Sequence, residues 1–109
     1  MAEESIVRVI QDYLSLLNRE GIHASRAILY GSHAEGRAFP DSDIDLVVIA
    51  EDFDRSRNRE LVERLWLLSA RSDARIEPIP CGEEEWVKDD SRAILEIARR
   101  SGIPIVTPS

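Results

Sequence analysis

Two aspartates separated by one residue, Asp43 and Asp45, stand at the head of an apolar run, Ile44 to Ala50, that reads as a strand buried on both faces. Successive strand side chains alternate faces, so both carboxylates project from one side while Ile44 and Leu46 turn to the other. Carboxylates held this close repel, and a bound divalent cation is the simple way to keep both ionised. Mg²⁺ suits them, because this hard ion is commonly held by one or two carboxylates together with substrate phosphates. In an arbitrary protein a bare Asp-x-Asp is more often a solvated turn, and Asp41-Ser42-Asp43 has the residues for one. Gly31-Ser32 shifts that balance. A glycine directly after a buried strand lets backbone approach a ligand, and the following Ser offers a hydroxyl and an N–H to an anion. A strand, Gly-Ser, ten intervening residues, Asp-x-Asp and a second strand would set a phosphate cradle beside a cation site.

The elements that must hold these residues are legible as periodicities. Residues 3–20 carry Ile6, Val7, Ile10, Tyr13, Leu14 and Leu17 at helical spacing, closed by Gly21. Ala27 to Tyr30 is a short buried strand, and residues 31–42 are a loop with room for a helical turn after Ser32. A second amphipathic helix spans 54–71, with Trp66 expected in the core. Ile76 to Pro80 carries Pro78 and Pro80 and reads as an edge strand. Asp89-Asp90-Ser91 offers caps for a third helix that Gly102 ends, and Ile103 to Val106 is a last short strand. This order predicts one mixed α/β (α+β) domain over residues 1–109, a small sheet of three to four strands flanked by helices.

Composition narrows the function. The chain has 109 residues, 43% hydrophobic and 32% charged, which is globular composition with a modest core. A net charge of -7 argues against strong free nucleic-acid binding, which draws on clustered Lys and Arg. Thirteen of the fourteen basic residues are Arg, Lys88 being the exception. A single cysteine, Cys81, precludes an intramolecular disulfide and fits a reducing compartment; it has no basic sequence neighbours to activate it and reads as structural. Without a signal peptide or a membrane-length apolar run, the expectation is a cytoplasmic protein with no membrane association.

The run Tyr30 to Val48 (YGSHAEGRAFPDSDIDLVV) resembles the DNA polymerase β-type nucleotidyltransferase superfamily, and within it the minimal nucleotidyltransferases often encoded beside a HEPN-domain partner. The specific match covers about 20 residues, and the order of helices and strands fits the minimal fold over nearly the whole chain. The resemblance implies that Gly31 and Ser32 bind phosphate and that Asp43 and Asp45 bind metal. It also implies a third carboxylate on the next strand, for which Glu77 is the candidate and Asp73 the fallback. Three such groups would hold two Mg²⁺ ions roughly 3.5–4 Å apart. Members of the group often carry Arg just after Gly-Ser and again two residues later, where this chain has His33 and Glu35. Arg37 is then the candidate to supply positive charge to a triphosphate, and His33 is either a neutral donor to phosphate or a surface residue.

The reaction implied is attack on the α-phosphate of a nucleoside triphosphate, ATP by preference, with release of pyrophosphate. The resemblance further implies an antitoxin that adds AMP to a tyrosine hydroxyl of a HEPN-type toxin. Two other readings stand beside it: a module that neutralises a helical partner by contact alone, and a small-molecule nucleotidyltransferase acting as a homo-oligomer. His23 reads as a surface turn residue, and Trp86, after three glutamates, as a contact with another chain.

Overall fold

The computed structural model describes residues 3–55, 58–88 and 92–107. Its helices are α1 (Glu4–Arg19), α2 (Asp52–Arg55), α3 (Arg59–Ser72), α4 (Glu83–Lys88) and α5 (Ala93–Ser101). Its strands are β1 (Ala24–Tyr30), β2 (Ile44–Ala50), β3 (Ile76–Cys81) and β4 (Ile103–Val106), joined in one sheet of order β3-β2-β1-β4. β1 lies antiparallel to β2 and β4, while β2 and β3 run parallel across the α3 connection. β3 is indeed an edge strand, where its two prolines cost the sheet least.

Each sheet face has its own core. Ile6, Ile10, Tyr13, Leu14 and Leu17 form the buried stripe of α1, which packs with Leu65 and Leu68 of α3 against Leu29, Leu46 and Val48. The Tyr13 hydroxyl donates to the Leu65 carbonyl at 2.8 Å, joining the two helices inside this core. On the opposite face Ile28, Val47, Ile49 and Cys81 are covered by Leu95 and Ala98 of α5. Burial on both faces is why β1 and β2 read as continuous apolar runs rather than alternating ones.

The structure amends four expectations. β1 begins at Ala24, three residues before the apolar run, because Ala24 already pairs with Ala50. The predicted helix over 54–71 is two: α2 comes first, and α3 starts afresh after Asn58, whose side chain accepts from the Leu61 N–H at 2.8 Å. Trp66 is 42% exposed rather than in the core. It lies one residue, about 100° of helical rotation, from the buried Leu65. The Glu83–Lys88 segment, given no element from the sequence, is helical, and the Arg99 guanidinium lies 4.8 Å from the centre of the Trp86 ring. The proposed caps Asp89, Asp90 and Ser91 lie outside the described residues; Arg92 precedes α5 without a side-chain capping bond.

Candidate active site

β1, the following loop and the start of β2 bring the chemistry-bearing residues to one end of the sheet. Strand register sets a row across three strands, with Tyr30 of β1 opposite Asp45 of β2 and Asp45 opposite Glu77 of β3. Side chains paired this way share a face, and alternation puts Asp43 on the same side. Asp43 is exposed, and Asp45 and Glu77 are partly buried. Glu77 is therefore beside Asp45 in the sheet. Asp73, the alternative, lies at the end of α3 and is occupied by Arg75, with Oδ2 2.8 Å from its Nη2.

Electrostatics shows the repulsion that the spacing implied. The Asp45 carboxyl is raised above the usual range by burial and then by the negative charges of Asp43 and Glu77, with His33 acting in the opposite sense. Tyr30 is pushed up to about 12, first by burial and then by Asp45 and Glu77. Its phenol stays protonated at neutral pH, so it is available only as a neutral hydroxyl. Asp73 is held below the usual carboxylate range chiefly by its hydrogen bond from Arg75.

Gly31 turns the chain out of β1 with φ +77°, a conformation that favours glycine. A Cβ there would sit 2.5 Å from Asp45 Oδ2, so only a bare Cα lets the loop after β1 lie against this carboxylate. The loop then makes the expected helical turn, with Ala34 and Glu35 N–H both donating to the Gly31 carbonyl at 3.1 Å and Arg37 N–H to Ser32 at 3.0 Å. Short turns of this kind aim backbone N–H groups at anions. Arg37 is exposed and its Nη2 contacts Glu35 at 2.7 Å. His33 is neither free on the surface nor open to a phosphate through Nε2, because that nitrogen lies 3.1 Å from the Ser42 carbonyl.

The donor set fits an open Mg²⁺ site. Among the described residues no three His, Cys, Asp or Glu side chains are gathered into a ready-made ion cage. Mg²⁺ needs no such cage: it takes one or two carboxylates and keeps the remaining positions for water and substrate oxygens. Asp45, its carboxyl raised by burial and by the charges of Asp43 and Glu77 beside it, is the group whose repulsion such an ion would relieve.

Two neighbours of the site carried no signal that was read from the sequence. Tyr30 is one, although strand alternation places it in the Asp45 row. Arg75 is the other, and its Nη1 donates to the Pro40 carbonyl at 2.7 Å. A cavity of about 260 Å³ opens between the first turn of α1 and the loop, lined by Ile6, Val9, His33, Phe39, Pro40 and Arg75 but by none of the three carboxylates. Cys81 is buried at the far end of β3, its thiol pushed up to about 12 mainly by burial, in keeping with a structural role. His23 is exposed and paired with Asp52 at 3.2 Å. No helix among the described residues is long and apolar enough to cross a membrane.

Fold and site together define a small mixed α/β domain with a tight glycine turn set against paired carboxylates. The chain belongs to the nucleotidyltransferase domain family, whose sequence pattern matches residues 10–100. No curated protein matches the chain by sequence. Solved structures do match by fold. A Sulfolobus solfataricus protein described as a candidate nucleotidyltransferase aligns with a TM-score of 0.59 at 13% identity, over 92% of this chain and 78% of that one. A toxin-antitoxin structure with AMP-PNP aligns with a TM-score of 0.62 at 18% identity, over 91% of this chain and 74% of that one. At these identities the likeness establishes the shared fold.

Proposed function

We propose that the chain is a Mg²⁺-dependent nucleotidyltransferase that moves AMP from ATP to a hydroxyl group on a partner protein, and that this partner is a helical toxin of the HEPN kind. The observation that carries the reading is the Asp45 row, a carboxylate flanked by Glu77 in register and approached by the bare Cα of Gly31. The family supports nucleotidyl transfer. The toxin-antitoxin structure with AMP-PNP supports an adenine nucleotide and a protein partner.

In this reading Asp43 and Asp45 hold Mg²⁺, with Glu77 as the third ligand, while Gly31 and Ser32 bind the outer phosphates and Arg37 adds charge at the loop. When bound, the ion neutralises charge on the triphosphate and favours departure of pyrophosphate. Glu77 accepts the proton of the acceptor hydroxyl as its oxygen bonds the α-phosphorus and the bond to the β-phosphate oxygen breaks. The rest is positioning by a loop and a sheet end that the fold fixes beforehand. In this reading the acceptor hydroxyl is presented by the partner protein.

The test is incubation of the purified chain with labelled ATP and Mg²⁺, with and without a candidate helical partner protein. Label appearing on that protein, and absent with the Asp43→Asn/Asp45→Asn chain, is the expected result. A stable complex with no label would favour neutralisation by contact alone.

A further inference from the structure

The segment from Pro40 to Ile44 carries Asp43, and a single residue grips it at both ends. The Arg75 guanidinium donates through Nη1 to the Pro40 carbonyl at 2.7 Å, and the Arg75 carbonyl accepts from the Ile44 N–H at 2.8 Å. The other edge of the guanidinium is seated on Asp73, with Nε 3.0 Å from Oδ1 and Nη2 2.8 Å from Oδ2. Asp73 Oδ1 also accepts the Arg75 backbone N–H at 2.9 Å. A third hold comes from the phosphate loop, where His33 Nε2 meets the Ser42 carbonyl at 3.1 Å. A carbonyl only accepts, so Nε2 carries the proton in this contact.

We propose that Arg75 is the positioning residue of this site, seated by Asp73 so that it fixes the Pro40–Ile44 turn and with it the place of the Asp43 carboxylate relative to Asp45 and Glu77. The inference deepens the proposed function, since it rests on Asp43 and Asp45 binding the cation. A carboxylate on an unheld loop must be ordered when the ion arrives, and that ordering costs affinity; a loop held beforehand has already met the cost. The work needs arginine. Its rigid fork of donors spans Pro40 and Asp73 together, whereas a lysine ammonium is a compact point charge that replaces one contact at a time. In this role Arg75 acts through the turn that it holds.

Two measurements on Arg75→Lys test this. Without metal, amide hydrogen exchange at Ser42 and Ile44 is expected to quicken while Leu29 in β1 stays unchanged. With Mn²⁺ alone as probe, followed by electron paramagnetic resonance, affinity is expected to fall about tenfold, in the range seen when the supports of metal ligands are lost. Asp73→Asn leaves Arg75 present but loosens its seat, so it should show both changes to a smaller degree and decides the matter if Arg75→Lys does not fold. Native exchange in the turn would overturn the proposed hold. Faster exchange with unchanged Mn²⁺ affinity would make Arg75 merely structural and overturn its role at the site. If the wild-type chain takes up no Mn²⁺ while the exchange result is as expected, the cation reading of Asp43 and Asp45 has failed, and the role given to Arg75 goes with it.

Discussion

Glycine 31 is where backbone geometry and chemistry meet most closely. Its positive φ and the 2.5 Å approach that a Cβ would make to Asp45 Oδ2 mean that Gly31→Ala must strain the backbone and push the carboxylate aside. A loss of roughly 1–3 kcal/mol in urea unfolding is expected from the backbone cost alone, together with weaker nucleotide binding. An alanine variant as stable as the parent would show that the loop can relax away from Asp45. Glu77 makes a different prediction. Glu77→Gln keeps the shape of the side chain and leaves the loop after Gly31 untouched, so under the proposed function ATP binding should persist while transfer falls by roughly 10²–10⁴-fold, the usual worth of a general base. Single-turnover rates set against an equilibrium binding curve separate the two effects. Near-normal turnover would remove Glu77 from the chemistry.

At the scale of elements, the stretch from Asp73 to Ile76 joins α3 to β3 through one carboxylate–guanidinium pair. Asp73 lies below the usual carboxylate range chiefly because Arg75 donates to it. A depressed folded value means that the pair stabilises the fold above the unfolded pKa of about 3.9, and that this support is lost as pH falls through the lower folded value. Asp73→Asn should therefore flatten the acid limb of a plot of stability against pH below about 4 and leave its shape at neutral and higher pH unchanged. An identical acid limb in parent and variant would show that other carboxylates govern it. The same stretch shows what sequence could and could not carry. Apolar runs and helical spacing gave β2, α1 and β4, because burial leaves a direct mark on residue type, and Pro78 and Pro80 gave the edge position of β3, since proline cannot donate to a ladder. The Gly31–Asp45 pairing was legible for the same reason, since motif and strand parity are local. Arg75 was not: its contacts reach Pro40, 35 residues away, and nothing in Asp73-Ala74-Arg75 announces that partner. The division between α2 and α3 and the outward placement of Trp66 were hidden too, because periodicity marks a helix more firmly than it marks where one ends or which flank meets solvent.

The whole molecule is acidic, with a net charge of -7, and the three carboxylates of the site add locally to that field. Near the Gly31 turn, Arg37 is paired with Glu35 and Arg75 with Asp73, so these two guanidiniums are already partly neutralised. Such a surface attracts a basic partner, and the loop that flanks the site presents Phe39, 74% exposed, as apolar area for contact. A toxin that acts on RNA must carry basic residues to hold it, so the partner proposed above would complement this surface in charge. The expected outcome is a complex that weakens as salt rises and whose partner gains the mass of one or more AMP groups when ATP and Mg²⁺ are present. Asp43→Asn should leave complex formation nearly intact and abolish the mass increase. Growth then separates catalysis from contact. Cells expressing the partner together with Asp43→Asn chain should remain poisoned if modification is what protects them, and should grow normally if binding suffices. Normal growth, combined with no mass increase from the wild-type chain, would leave the nucleotidyltransferase fold in place and remove AMP transfer from its function.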